Sequence, residues 1–133
     1  AFTNEAAMQS FVFTNRKKIR KFQELGLKRF KEQFPFDSGR KIDLLCYRWI
    51  GKDKELVGIE LKPGKPDDGA EGQSQQYLDE LDAYARANGY ASAHLIVISG
   101  RPNKSSRARV ESYAASRGLK VTFLLYSVQM NLL

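Results

Sequence analysis

Lys41-Ile42-Asp43-Leu44-Leu45-Cys46-Tyr47-Arg48-Trp49 and Glu55-Leu56-Val57-Gly58-Ile59-Glu60-Leu61-Lys62 flank the polar segment Gly51-Lys52-Asp53-Lys54. Two apolar, β-branched and aromatic runs separated by turn residues predict a β-hairpin. Residues two apart on a strand share a face, so Glu60 and Lys62 project together while Ile59 and Leu61 enter the opposite layer. With the hairpin symmetric about the Lys52–Asp53 bond, Asp43 opposes Lys62 and lies diagonal to Glu60, with Cβ separations of about 5 and about 7 Å. One divalent cation can bridge two carboxylates over that span. A slip of one residue would turn Asp43 to the other face.

Upstream of the hairpin, Asn4 is a good N-cap for a helix carrying Met8, Phe11 and Val12 at helical spacing. Thr14-Asn15 is read as the cap of a second, basic helix ending near Gly26. Phe30 to Phe36, with Phe34-Pro35-Phe36 inside it, reads as an edge segment, and Asp37-Ser38-Gly39 as a turn. Downstream, Pro63 to Gly69 breaks the strand. A helix from about Glu71 to Ala87 then sets Tyr77, Leu78, Leu81, Tyr84 and Ala85 on one face, and Gly89 ends it. Ala93 to Ser99 reads as a strand buried on both faces, Asn103 to Arg117 as a helix stopped by Gly118, and Lys120 to Tyr126 as a last strand. The order α, α, β, β, β, α, β, α, β describes one α/β domain over residues 1–133, a hairpin sheet extended by parallel strands through helical crossovers.

The 133 residues carry 42% hydrophobic and 28% charged side chains, which fits a folded domain and excludes a disordered tail. A chain of this length buries roughly two-thirds of its unfolded surface. Cys46 is the sole cysteine and His94 the sole histidine, so disulfides within the chain and Cys/His zinc frameworks are out. A reducing, cytoplasmic setting is the simplest expectation. Leu95-Ile96-Val97-Ile98 is the longest aliphatic run, far below the ~20 residues of a membrane span, and no signal peptide is legible. The sequence begins at Ala1, which is read as a processed chain or a domain of a longer protein.

Charge is concentrated rather than spread. Arg16, Lys17, Lys18, Arg20, Lys21, Lys28, Arg29 and Lys31 face one acid, Glu24, in a single segment, an excess equal to the whole chain's net +7. Such a cluster steers polyanions and releases their counterions, so nucleic acid is the natural partner. The competing reading is a short helix that buries Ile19, Phe22 and Leu25 and merely solvates its lysines. At the hairpin, two carboxylates with a strand carbonyl suit Mg²⁺ or Mn²⁺, and an adjacent ammonium can orient water and neutralise a phosphate. Phosphodiester hydrolysis uses those parts. An exposed cross-strand salt bridge uses them too, for under ~1 kcal/mol.

Asp43 followed by Gly58-Ile59-Glu60-Leu61-Lys62 on the next strand resembles the PD-(D/E)XK nuclease superfamily. Gln73-Ser74-Gln75-Gln76-Tyr77 looks like its Gln-x-x-x-Tyr motif, and Glu5-x-x-x-Gln9 like the first-helix acid of one subgroup. Gly39-Arg40-Lys41-Ile42-Asp43-Leu44-Leu45 is similar to a stretch of the NucS/EndoMS-like mismatch endonucleases, with Lys41 inserted, and Shedu-type defence nucleases share the domain plan. The resemblance implies a restriction-endonuclease-like mixed sheet with an αβββαβ core flanked by helices, plus a C-terminal helix and strand. It covers the catalytic domain of those enzymes and not their N-terminal dimerisation domain, so double-strand cleavage at mismatches is not among the expectations.

By the same resemblance, Asp43, Glu60 and the Leu61 carbonyl ligate Mg²⁺ or Mn²⁺, Lys62 positions the attacking water, and Glu5 reaches the metal through water or a second ion. Gln73 and Tyr77 share a helix face, where the amide orients the site and the phenol packs beneath it. Arg40 joins the candidate DNA contacts. The plainer readings are a helix-start acid for Glu5 and a core aromatic for Tyr77. His94 reads as a structural histidine. Trp49 reads as a cap on the core or a surface for base stacking, and Arg101, Lys104, Arg107 and Arg109 as phosphate contacts or solubilising charge. The function implied is a metal-dependent DNA endonuclease acting in repair or phage defence, alone, as a homodimer or within a larger protein. The alternatives are a non-catalytic nucleic-acid-binding module and a partner-docking module.

Overall fold

Asn4 opens the first element by accepting the Ala7 N–H at 2.8 Å, and α1 (Glu5–Thr14) follows. The structure, a computed structural model, describes residues 2–67 and 69–128. The expected second helix is shorter than its charge run. Asn15 closes α1 instead of opening the next helix, its amide donating to the Phe11 carbonyl at 2.8 Å. Arg16 donates to the Phe13 carbonyl and stacks on that ring. The chain therefore turns through residues 16–19, and α2 (Arg20–Leu25) ends at Gly26, whose φ of +70° supplies the left-handed cap.

β1 (Lys28–Pro35) is the expected edge strand, antiparallel to β2 (Lys41–Ile50). β2 pairs antiparallel with β3 (Asp53–Lys62), and the register corrects the expected one by two residues. Ile50 pairs with Asp53, so the turn is only Gly51-Lys52. Gly51 sits at φ +61°, the position a type II′ hairpin turn reserves for glycine. The displacement is even, so the alternation of faces holds from Leu44 to Ile50. Ile42, however, packs on the same face as Leu45 and opposite to Leu44, so the alternation breaks around Asp43, whose counterpart by register becomes Glu60 rather than Lys62.

α3 (Ala70–Ala87), β4 (Ser92–Ser99), α4 (Lys104–Ser116) and β5 (Lys120–Leu125) complete the chain, and Asp68 of the expected break lies outside the described residues. The five strands lie in the order β1-β2-β3-β4-β5, with β3, β4 and β5 mutually parallel. Both crossover helices cover one face of the sheet. Leu78, Leu81 and Ala85 of α3 and Val110 and Ala114 of α4 pack on Ile42, Leu45, Leu56, Leu95 and Val97. Met8, Val12 and Phe22 of the two N-terminal helices pack on Leu44, Cys46, Ile59, Leu61 and Ile96 of the other face. Gly58 is the point of closest approach beneath α3. A Cβ there would lie 2.5 Å from Ile42 Cδ1 and 2.7 Å from Leu81 Cδ1. Among the described residues, no helix is long and apolar enough to cross a membrane.

Candidate active site

The pairing of β2 with β3 ends at Leu44 and Ile59, and there Asp43 takes over from the backbone. Its Oδ2 accepts the Leu61 N–H at 2.7 Å, filling the role of a strand carbonyl where the two strands part. Its Oδ1 accepts from Gln33 Nε2 at 3.2 Å. Burial pushes the Asp43 pKa up to about 7; the Leu61 N–H opposes this, and the charges of Glu5 and Glu60 add to it.

Glu60 follows on β3, 1% exposed. Ser74 Oγ donates to its Oε1 at 2.8 Å, whereas its buried Oε2 has no hydrogen-bond partner among the described residues. Lys62 Nζ stands 3.6 Å from that oxygen. Burial raises the Glu60 pKa, against the pull of Lys62 and Ser74. The Lys62 ammonium is held from α3: it donates to Gln73 Oε1 at 2.9 Å, Gln73 Nε2 donates to Tyr77 Oη at 3.3 Å, and Tyr77 Oη donates to the Lys41 carbonyl at 2.6 Å. The i, i+4 spacing of Gln73 and Tyr77 thus becomes a relay tying the lysine to the start of β2. Tyr77 is a core residue, 5% exposed among Leu78 and Leu81, in line with its plainer reading. Burial, with the Asp43 and Glu60 charges, pushes its phenol up to about 12.

Glu5, in the first turn of α1, borders an open groove of about 450 Å³ with Gln9, Gln33, Asp43, Gln73 and Tyr77. Leu61 contributes its main chain, its side chain being fully buried in the opposite layer. Three contributors escaped sequence reading. Gln33 donates to both Asp43 and Gln9 from a backbone at φ +46°, a left-handed kink inside a strand. Gln9 donates to Glu32 at 3.0 Å. Ser74 was quoted only as a spacer within the Gln73 motif, although its hydroxyl is what touches Glu60. Only the position of Gln33 across the sheet from Asp43 would have singled it out, and that requires the register.

The basic run is divided among elements. Arg16, Lys17, Lys28 and Arg29 share a groove of about 460 Å³, while Arg20 and Lys21 lie on α2 and Lys31 on β1. Lys18 falls in the turn between the helices. Arg40 is drawn away to Glu80 of α3, 3.5 Å distant. Arg107 pairs with Glu111 and Arg109 with Glu71. His94 is wedged between Glu55 at 3.2 Å and Thr122 at 2.7 Å, the structural role expected of it.

Among the described residues, no three His, Cys, Asp or Glu side chains gather to enclose an ion by themselves. The donor set nonetheless fits a hard cation that keeps part of its water: two crowded carboxylates, both raised in pKa, one with a buried unpartnered oxygen.

No protein-family description and no curated protein matches the chain. Solved structures do. A repair endonuclease from Pyrococcus abyssi superposes with a TM-score of 0.60 at 23% identity, covering 94% of this chain and 48% of that one. An EndoMS–dsDNA complex gives 0.65 at 21%, over 97% and 48%, and EndoMS in apo form gives 0.51 at 17%, over 93% and 46%. The chain spans about half the length of these structures. Over that half the chain shares the fold of these endonuclease structures, a mixed α/β fold with a five-stranded sheet flanked by helices.

Proposed function

We propose that the chain is a metal-dependent DNA endonuclease domain that hydrolyses phosphodiester bonds, acting as a homodimer or as part of a longer protein. The observation that carries this reading is the meeting of Asp43, Glu60 and Lys62 where the β2–β3 ladder opens, beside an accessible groove. Asp43, Glu60 and the Leu61 carbonyl would hold Mg²⁺ or Mn²⁺, with Glu5 reached through water. When bound, such an ion supplies charge neutralisation and a more acidic water. The chain's own groups do the rest. Lys62, steadied by Gln73 and through it by Tyr77, presents its ammonium to the attacking water and to the phosphate oxygens. Gln33 and Gln9 hold Asp43 in its bridging position. The basic surface around α2 and β1 would meet DNA phosphates without reading bases, which makes affinity salt-dependent.

The test is cleavage of a panel of labelled duplex, single-stranded, branched and mismatched DNAs with Mg²⁺ or Mn²⁺. Wild-type protein cuts at least one of them, and Asp43→Asn/Glu60→Gln loses cleavage by at least about 100-fold while still binding DNA. Wild-type rates in the double variant would overturn the site. A wild-type chain that binds but never cuts, with no carboxylate-dependent Mn²⁺ heat in calorimetry, would favour the binding-module reading.

A further inference from the structure

Tyr47 and Trp49 lie two apart on β2 and so share a face, the one covered by α3. The covering stops short of them. Trp49 is half exposed, its ring edge-to-face with Tyr47 at 6.1 Å, and Lys54 is its cross-strand partner. The Lys54 ammonium lies 4.8 Å from the Tyr47 ring centre and 5.2 Å from that of Trp49. Tyr47 and Lys54 line an open cleft of about 320 Å³ with Arg29 and Lys31 on the edge strand, Tyr84 of α3 and Tyr90 just beyond that helix, and Trp49 stands outside the lining, against Tyr47 and Lys54. No acid lines the cleft. Arg29 stands at the bulge of β1 with φ +56° and borders both this cleft and the basic groove of Arg16, Lys17 and Lys28. The two form one electropositive track over the sheet edge.

We propose that this cleft, together with the exposed Trp49 next to it, is a second nucleic-acid site that takes unpaired nucleotides of single-stranded DNA, with bases stacked on Tyr47 and Trp49 and phosphates against Arg29, Lys31 and Lys54. Aromatic faces interleaved with cations are what an unpaired strand needs. A duplex hides its base faces in its own stack and offers only phosphates to such a surface. The cleft is separate from the Asp43 groove: four residues of extended β2 place Tyr47 about 13 Å from Asp43. The inference goes beyond the proposed hydrolysis and does not depend on it.

Trp49 is the chain's one tryptophan, so its emission reports on the site directly. Oligo-dT titrated into the whole chain in EDTA, where hydrolysis is not needed, is expected to quench that emission saturably. A blunt duplex of equal length should quench it at least fivefold less. In anisotropy with labelled oligo-dT, Trp49→Ala and Lys54→Ala should each weaken binding about tenfold. Lys54→Ala leaves both rings in place, so a folding defect in the tryptophan variant does not blunt the test. Absence of quenching, equal quenching by the duplex, or binding by Lys54→Ala within twofold of wild type would overturn the proposal. A chain that fails to cleave in Mg²⁺ yet shows these effects sinks only the nuclease reading.

Discussion

Asp43 carries two duties that pull against each other. As a hydrogen-bond acceptor it substitutes for a backbone carbonyl, and as one of three crowded acids it resists ionisation. Its folded pKa, raised to about 7, means the protonated form is favoured in the fold. The stability this contributes is complete below the ordinary carboxylate range and is lost as pH rises through about 7. In EDTA the melting temperature should therefore fall between pH 5 and 8, and Asp43→Asn should flatten that fall. Adding Mn²⁺ at pH 8 should restore the wild type and not the variant. A wild-type melting temperature independent of pH over this range would show that the carboxylates are not crowded as described.

At the scale of elements, β3 holds acids near both ends, and they act oppositely. Glu60 at the site end has a donor, Ser74, on one oxygen only, whereas Glu55 at the hairpin end is fully buried and saturated by Arg48, Lys120, Ser92 and His94. Burial works to raise the Glu55 pKa, but those four partners outweigh it and hold it below the usual carboxylate range. Its contribution is present above that range and disappears as pH falls through the depressed value. Glu55→Gln should cost about 2–3 kcal/mol at pH 7 by chemical denaturation and lose the acid-side dependence. Between these ends sits Gly58. Gly58→Ala must push Ile42 and Leu81 aside, at about 1–3 kcal/mol. Since Leu81 and Gln73 ride on the same helix, cleavage should drop more than the melting temperature alone explains, a comparison made at a temperature where both proteins are folded.

Over the whole molecule, the sum of cations around α2 and β1 sets affinity. Each of Lys17→Ala and Lys28→Ala should lower the slope of log affinity against log salt by about 0.9 for duplex DNA, measured by anisotropy between 50 and 200 mM salt. What was legible beforehand divides by range. The element order and the shared face of Glu60 and Lys62 follow from local periodicity, which the chain displays residue by residue. The register missed by two because it depends on whether the turn spans two residues or four, and Gly51 allows the tighter one. The second helix was overdrawn because Asn15 caps equally well in either direction, and Phe11 and Phe13 carbonyls claimed it and Arg16 for α1. Gln33 and Ser74 were invisible, since their importance comes from residues on other elements.

The irregular edge strand has one more consequence. Arg29 and Gln33 both turn left-handed within β1, and Lys28, Lys31 and Pro35 punctuate the rest. A neighbouring molecule seeking to add its own strand there would meet a crooked, like-charged border with interrupted amides instead of a straight template. The same distortions that aim one glutamine at an acid and one arginine at two grooves thereby make this edge of the sheet a poor template for strand addition.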